Sequence, residues 1–342
     1  MKKGFILSIA FVVALLFING CQKKEYSGPK IDKTQNADLI IKDAGGDKVN
    51  LKMKPKTGDI LNYKLHIEQN GSETSSLNKG NEIKNYQTMD LYFLNEIMEV
   101  NDAGIITYKV RYDSIMVNIG ASDKDTSYSL VYNSNIKDSI YKKSDFVTFN
   151  ALIGNDFRVR VSSLGEVSTI YDLEKIQNII YKEYGDTLEA NEKEIVKKSL
   201  EDQLKELIQT QYQIFPDKEI KKDSTWTSVQ QSVLGSFPVE NILNYTITSI
   251  EEKDDCNIIG LNAALDFKIL ENTYKEKTTG ITYKLDEIKG SGSGKIQFNI
   301  TRGCVVSKET EKSLSAKIQA SLKGQSATSS KTDVIKLKLE LL

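Results

Sequence analysis

In Leu61-Asn62-Tyr63-Lys64-Leu65-His66-Ile67 every odd position is apolar and every even one polar or charged. A β-strand sends successive side chains to opposite faces, so this is a strand with one face buried and the other in water. The alternation returns on both sides of the chain's middle. It runs through Ile106, Tyr108, Val110 and Tyr112, through Leu243, Tyr245 and Ile247, and through Leu261, Ala263, Leu265, Phe267 and Ile269. It comes back in Ala316, Ile318, Ala320 and Leu322, and in Ile335, Leu337, Leu339 and Leu341. One-sided alternation belongs to antiparallel sheet, because parallel strands are buried on both faces. Turn residues separate the runs at Asn101-Asp102-Ala103-Gly104, Ser163-Leu164-Gly165 and Thr301-Arg302-Gly303. One strand carries an anomaly: Ile106 to Tyr112 has even parity, whereas Ile115, Val117 and Ile119 have odd parity. Keeping both rows on one face takes an extra residue, so a bulge is expected near Asp113-Ser114.

Two stretches change period from two to 3.6. Asp172 caps a short helix with Leu173, Ile176, Ile180 and Tyr184 on its apolar side. A longer helix follows, with Asn191 and Glu194 as a capping box and Val196, Leu200, Leu204, Leu207, Ile208 and Tyr212 as one stripe ending before Pro216. A single turn of helix is expected between Asp145 and Ile153. The fold class is therefore mainly antiparallel β with an α insertion (α+β), a curved sheet or half-barrel with two central helices packed on it. Residues 47–342 form the β-rich domain, with a β-half at 47–170, helices at 171–215 and a second β-half at 216–342. The halves look alike. Each passes from a proline through a turn to an aromatic, Pro55 to Gly58-Asp59 and Tyr63, then Pro216 to Asp223-Ser224 and Trp226. The likeness is either a duplication or the common look of β-hairpins.

The first residues have a different character. Lys2 and Lys3 precede an apolar run from Phe5 to Ile18, which ends in Ile18-Asn19-Gly20-Cys21. A basic start, an apolar segment of roughly 14 residues and a small residue before the cut make a secretory signal. The run falls short of the ~20 residues that span a bilayer as a helix. Its end resembles the lipobox of bacterial lipoproteins, in which the cysteine is lipidated and becomes the first residue. Residues 1–20 are thus expected to be removed, Cys21 to carry lipid, and residues 21–46, polar and glycine-punctuated, to form a flexible tether. Cleavage takes two lysines from 46 basic residues and leaves 44 against 47 acidic ones. That is no footprint for nucleic acid, which calls for a basic face. Cys256 and Cys304 either bridge, in a compartment where disulfides persist, or stay separate as buried thiols.

Chemistry-bearing patterns are sparse, and no enzyme is expected. His66 is the only histidine, and it lies on its strand's polar face between Lys64 and Glu68. One His without clustered Cys leaves too few ligands for zinc, and no Gly-x-Ser-x-Gly elbow occurs. Gly290-Ser291-Gly292-Ser293-Gly294 lacks the helix a phosphate loop needs behind it and reads as a linker or the start of a strand. Asp123-Lys124-Asp125 opens like a calcium loop but has neither the glycine nor the closing acid, and reads as a hairpin tip. No catalytic residue, cofactor or metal ligand is assigned. The remaining candidate is an apolar cleft between helix and sheet, lined by Tyr63, Tyr108, Tyr112, Val196, Leu200, Leu204, Leu207, Tyr245 and Phe267.

The Tyr63 strand, Leu152-Ile153-Gly154-Asn155-Asp156-Phe157 leading through Leu164-Gly165-Glu166-Val167, Phe215-Pro216 to Asp223-Ser224-Thr225-Trp226, and Gly292 to Gly303 together resemble an uncharacterised family of bacterial lipoproteins known only as a domain of unknown function. The resemblance spans about Leu51 to Leu342, with Lys222 where the family tends to have Gly. It implies a β-rich architecture similar to the half-barrels of lipoprotein carriers and mycobacterial lipid-binding lipoproteins, and it implies no catalytic residues. Cys21 is followed by Gln22 rather than Asp, so the outer membrane of the cell envelope is the expected location, on either its periplasmic or its surface face. The expected role is binding an apolar or lipid ligand in the half-barrel, with membrane attachment through the N-terminal lipid. The alternative is a structural or adhesive envelope protein that engages other proteins. Replacing Cys21 by Ser is expected to leave the protein unlipidated, and incorporation of labelled palmitate into that variant would contradict the lipobox.

Overall fold

The computed structural model describes residues 48–78, 80–136, 146–184, 188–234, 237–253, 256–276 and 279–342. The signal segment, Cys21 and the tether lie outside the described residues. The strands are β1 Ile60–Ser75, β2 Glu82–Val100, β3 Ile106–Ser122, β4 Ser127–Asn133, β5 Phe157–Val161, β6 Val167–Tyr171, β7 Thr225–Leu234, β8 Phe237–Lys253, β9 Cys256–Ile269, β10 Thr273–Lys275, β11 Thr282–Asn299, β12 Cys304–Leu322 and β13 Gln325–Leu341. The helices are α1 Val147–Leu152, α2 Glu174–Tyr184 and α3 Ala190–Gln209. All thirteen strands belong to one sheet, in the order β6-β5-β3-β2-β1-β13-β12-β11-β9-β8-β7, with β4 beside β3 and β10 beside β11. Every pairing between them is antiparallel, and the sheet is open and curved.

The chain runs outward from β1 to β6, is carried to the far edge, and walks back from β7 to β13, which pairs with β1. Register lines up the alternation strand by strand. Leu65 stands between Leu91 and Leu339, and Tyr63 between Phe93 and Leu341. These residues point to one face, here the inner face, where all but the half-buried Leu341 are buried in the main core. Lys64, His66 and Glu68 point to the other. The bulge in β3 is present: Tyr92 faces Ser114 and Phe93 faces Tyr112, so Asp113 is the extra residue. Its carboxylate accepts from Arg111 Nε at 2.8 Å. Asp123 does form a hairpin tip, its Oδ1 accepting from the amides of Asp125 and Thr126 at 2.9 and 2.7 Å.

Several expectations need correcting. The glycine–serine run is the middle of β11, with the glycines on the inner face and the serines on the outer. Asp172 adopts a left-handed conformation (φ 60) and its carboxylate pairs with Arg158 at 3.1 Å, so it caps nothing by the expected geometry. The box on α3 is formed by Glu189 and Glu192, two residues before the expected one, because the helix already starts at Ala190. Cys256 opens β9 and Cys304 opens β12, with β11 between them, and the Cys256 side chain lies outside the described residues.

The likeness of the halves is structural. The Gly58 amide donates to the Ile97 carbonyl (2.8 Å), and the Ile97 amide to the Asp59 carbonyl (2.9 Å). Asp223, Ile247 and Ser224 repeat both bonds at 3.0 and 3.1 Å. Asp59 caps the amide of Lys56 as Ser224 caps that of Lys221. Each second strand then slips register just after this point, at Ile97/Glu99 and at Ile247/Ser249. The segments that lead into the two halves cross over. Met53-Lys54 lies against the β11–β12 turn at Gly303, and Gln213-Ile214 against the β5–β6 turn at Gly165. Phe215 also donates its amide to Leu164 at 2.9 Å, and Val49 bridges Ile220.

Gly165 and Gly303 have positive φ (89° and 65°), and a Cβ at either would run into the crossing backbone, at the Gln213 carbonyl or the Lys54 amide. Gly324, at the β12–β13 tip, has a similar φ of 84° and open space around it. Alanine at Gly324 should therefore cost about 1–2 kcal/mol, the left-handed penalty alone. Alanine at Gly165 or Gly303 should cost about 2–5 kcal/mol, because overpacking against backbone adds to it. Equal losses at all three sites in denaturant titrations would refute the crossing clamp.

Candidate functional site

α3 docks its apolar stripe on β2 and β3. Leu200, Leu204, Leu207 and Ile208 are buried and Val196 is half-buried. They meet Met89, Leu91 and Ile115 of the sheet and Phe149 and Leu152 of α1 around a void of about 30 Å³. That holds one or two waters at most, whereas small-molecule sites measure roughly 300–1,000 Å³. The tyrosines expected to line a cleft are part of the same filled core. Tyr63, Phe93, Tyr112 and Phe157 form a run of ring contacts 5.6 to 6.2 Å apart, and Tyr108 packs on Tyr212 at 5.5 Å. Tyr63 donates its hydroxyl to the Val305 carbonyl at 2.9 Å. Tyr245 stacks on Trp226 at 5.1 Å. So the predicted cleft under the helix is closed, because the stripe and the tyrosines fit one another.

The second half of the sheet is built otherwise. The three helices pack over the first half, and the inner face of β9, β11 and β12 has two groups of apolar residues with Leu265, Phe267 and Leu314 between them. One is the edge of the main core. The other is a small cluster at Phe237, Leu285 and Ala316. Half-buried Leu265 and Phe267 belong to neither. The inward glycines Gly290, Gly292 and Gly294 form the floor beside them. A Cβ at Gly290 would strike the Phe267 ring, so the ring lies down on the β11 backbone. Lys312 crosses from β12 and sets its ammonium 4.7 Å from the centre of that ring. The result is a shallow trough of the curved inner face, in which Leu265 and Phe267 lie directly over the β11 glycines and stay half-buried. Glycine at every second position of a strand signals such close approach.

Register extends this row along the face: Gly292 faces Lys312, Lys312 faces Ile335, Ile335 faces Gln69, and Gln69 faces Gln87. At that end the face is polar and buried. Gln69 donates to Asp333 Oδ1 at 3.2 Å, and Lys331 pairs with Asp333 Oδ2 at 3.1 Å. Both amide atoms of Gln87 are buried without a hydrogen-bond partner. Of the nine cleft residues expected from sequence, Phe267 alone lines the trough. Leu265 was read as a strand position without a site role, and Lys312 was missed because lysines at inward positions of β12 mask its alternation before Leu314. His66 sits on the outer face with Nδ1 3.0 Å from Asp90 Oδ1. Among the described residues no group of three or more His, Cys, Asp or Glu is placed to hold a metal.

Lys308, also on the inner face, is held structurally. Its ammonium donates to the carbonyls of Thr210 (3.1 Å) and Tyr212 (3.3 Å), just past the end of α3 where the helix dipole favours a cation. Burial lowers its pKa to about 8 from 10.5. The folded state then binds fewer protons than the unfolded between those values, so this group's contribution to stability rises with pH across that window. Burial raises the pKa of Tyr63, Tyr108, Tyr112 and Tyr212, so above their ordinary value of 10.0 the unfolded state sheds protons first and stability falls. Lys308→Met should remove the rise above pH 8 and keep the alkaline fall; a variant with an unchanged profile would contradict this assignment. Leu204→Ala should cost about 2–5 kcal/mol in chemical denaturation, as for a packed core leucine. A loss below about 1 kcal/mol would mean that α3 is a loose lid.

Among solved structures, the chain has weak similarity to three. A lipovitellin structure solved for its lipid–protein interactions is 12% identical with a TM-score of 0.42, covering 85% of this chain and 25% of its own. The translocator domain of the autotransporter NalP from Neisseria meningitidis is 8% identical with a TM-score of 0.20, covering 82% of this chain and 88% of its own. An outer membrane channel from Pseudomonas putida F1 is 7% identical with a TM-score of 0.22, covering 87% of this chain and 100% of its own. The chain spans only a quarter of the lipovitellin chain, and none of these scores defines a shared fold. No curated protein matches the sequence. A family model described as a family of unknown function (DUF6263) matches residues 103–305, more than half of the chain, and the protein belongs to that family.

Proposed function

We propose that the protein binds an apolar or amphipathic ligand, of lipid type, along the inner face of its C-terminal half-sheet. The role is one of binding, not catalysis, at the cell envelope, with the chain held to the outer membrane by lipid on Cys21. One observation carries the reading. Leu265 and Phe267 are left half-buried beside a glycine floor, outside both apolar clusters, on the side of the sheet that the helices do not cover. Apolar surface left there has a cost of about 25 cal/mol per Å² that a ligand chain would remove. Among the described residues no strand pairs with the outer edge of β7, which supports the second reading, a structural or adhesive protein, since such an edge is a template for another chain. The edge at β6 is partly closed. Gln209 of α3 accepts from the Val167 amide at 2.9 Å, and Lys205 donates to the Ser168 carbonyl at 3.3 Å.

Uptake of a fluorescent fatty-acid probe by the full chain tests the trough. Leu265→Trp, which fills it, should weaken uptake by about tenfold or more, a change of at least 1.4 kcal/mol in binding. Leu204→Ala should leave uptake within about twofold despite its stability loss. The opposite ranking would move the site back under α3, and no uptake by the wild type would favour the structural reading.

A further inference from the structure

Resting on the trough as a binding site, we infer that Lys312 is its headgroup anchor and that the ligand is an anionic amphiphile bearing a carboxylate or a phosphate monoester. Among the described residues no carboxylate lies within ion-pairing distance of Lys312. Its close partner is the face of Phe267. Glu309 and Glu311, its neighbours in β12, alternate to the outer face. The acid on the adjoining part of the inner face, Asp333, is engaged by Lys331 and Gln69. Lys308, Lys312 and Lys331 thus face inward; Asp333 is engaged as above, Glu73, in register with Lys331, accepts from the Ser329 hydroxyl at 2.9 Å, and Lys308 is tied to helix-end carbonyls. Of these three inward lysines, the one left with only a π partner is Lys312, set over the Phe267 ring. Burial lowers its pKa, as expected of an ammonium that lacks a counter-charge. A ring face steadies a cation without neutralising it. An acidic headgroup would supply the missing charge while its chain lay against Leu265.

Displacement titrations on the full chain with oleate, oleyl phosphate and oleyl alcohol test this. Oleate, oleyl phosphate or both should bind about tenfold or more tightly than the uncharged alcohol, and the preference between the two acids identifies the headgroup. Lys312→Met should abolish that preference while leaving the alcohol's affinity within about twofold, and Lys312→Arg should retain it. Equal binding of all three by the wild type overturns the headgroup assignment and leaves the trough standing. Binding of none overturns both. Equal weakening of acid and alcohol in Lys312→Met would make Lys312 a packing residue and also overturn the assignment.

Discussion

A sheet laid down from its middle to one edge, then from the other edge back to the middle, must carry its chain across once. In this protein that crossing runs from β6 through α2, α3 and residues 210–224 to β7. The rest of the structure depends on where it goes. The crossing passes over the inner face at one end, where Phe215 packs on Phe298 at 4.5 Å and Phe215 bonds to the β5–β6 turn. Leu51 and Met53, ahead of β1, run alongside and are buried. Two glycine turns receive the two strands of this crossing, and each belongs to the half opposite the one that the crossing chain then enters. The halves are therefore bound at one end by backbone contact as well as through the β1–β13 ladder.

That route leaves the inner face unequally covered. The first half receives three helices and buries its tyrosines, and each fully buried leucine of α3 contributes about 1.5–3 kcal/mol. The second half receives only the tail of the crossing, pinned through Lys308 to the helix end. Its inner face therefore stays shallow, floored by glycine where a larger residue would meet Phe267 or Leu265. The half-buried Leu265 and Phe267 and the lysine beside them set the two halves apart, although both are built on the same opening contacts.

Much of the fold was legible in the sequence, because alternation and turn residues report locally. Parity alone located the extra residue at Asp113, and the tyrosine rows fell on the face expected of them. The candidate site was less legible. Periodicity identifies the inner face but not what covers it, and the stripe on α3 reads the same whether it plugs a core or lids a cleft. Its complementarity to Met89, Leu91 and Tyr112 depends on partners more than 80 residues away in the chain. The glycines of β11 looked like a linker because glycine weakens a strand in isolation; only their neighbours in β9 and β12 explain them. Lys312 gave no signal, since a lysine in a strand ordinarily marks the solvent side.

The trough of the C-terminal half and the packed space beneath α3 are distinguishable as ligand sites by their leucines and isoleucines. Methyl NMR of the full chain, labelled at Leu and Ile and titrated with oleate, tests binding in the trough most directly. Binding in the trough should shift the resonances of Leu265 and of Ile335, which faces Lys312 in register, in a saturable way while those of Leu200, Leu204 and Leu207 stay in place. Shifts confined to the α3 leucines, or no saturable shift at all, would contradict it.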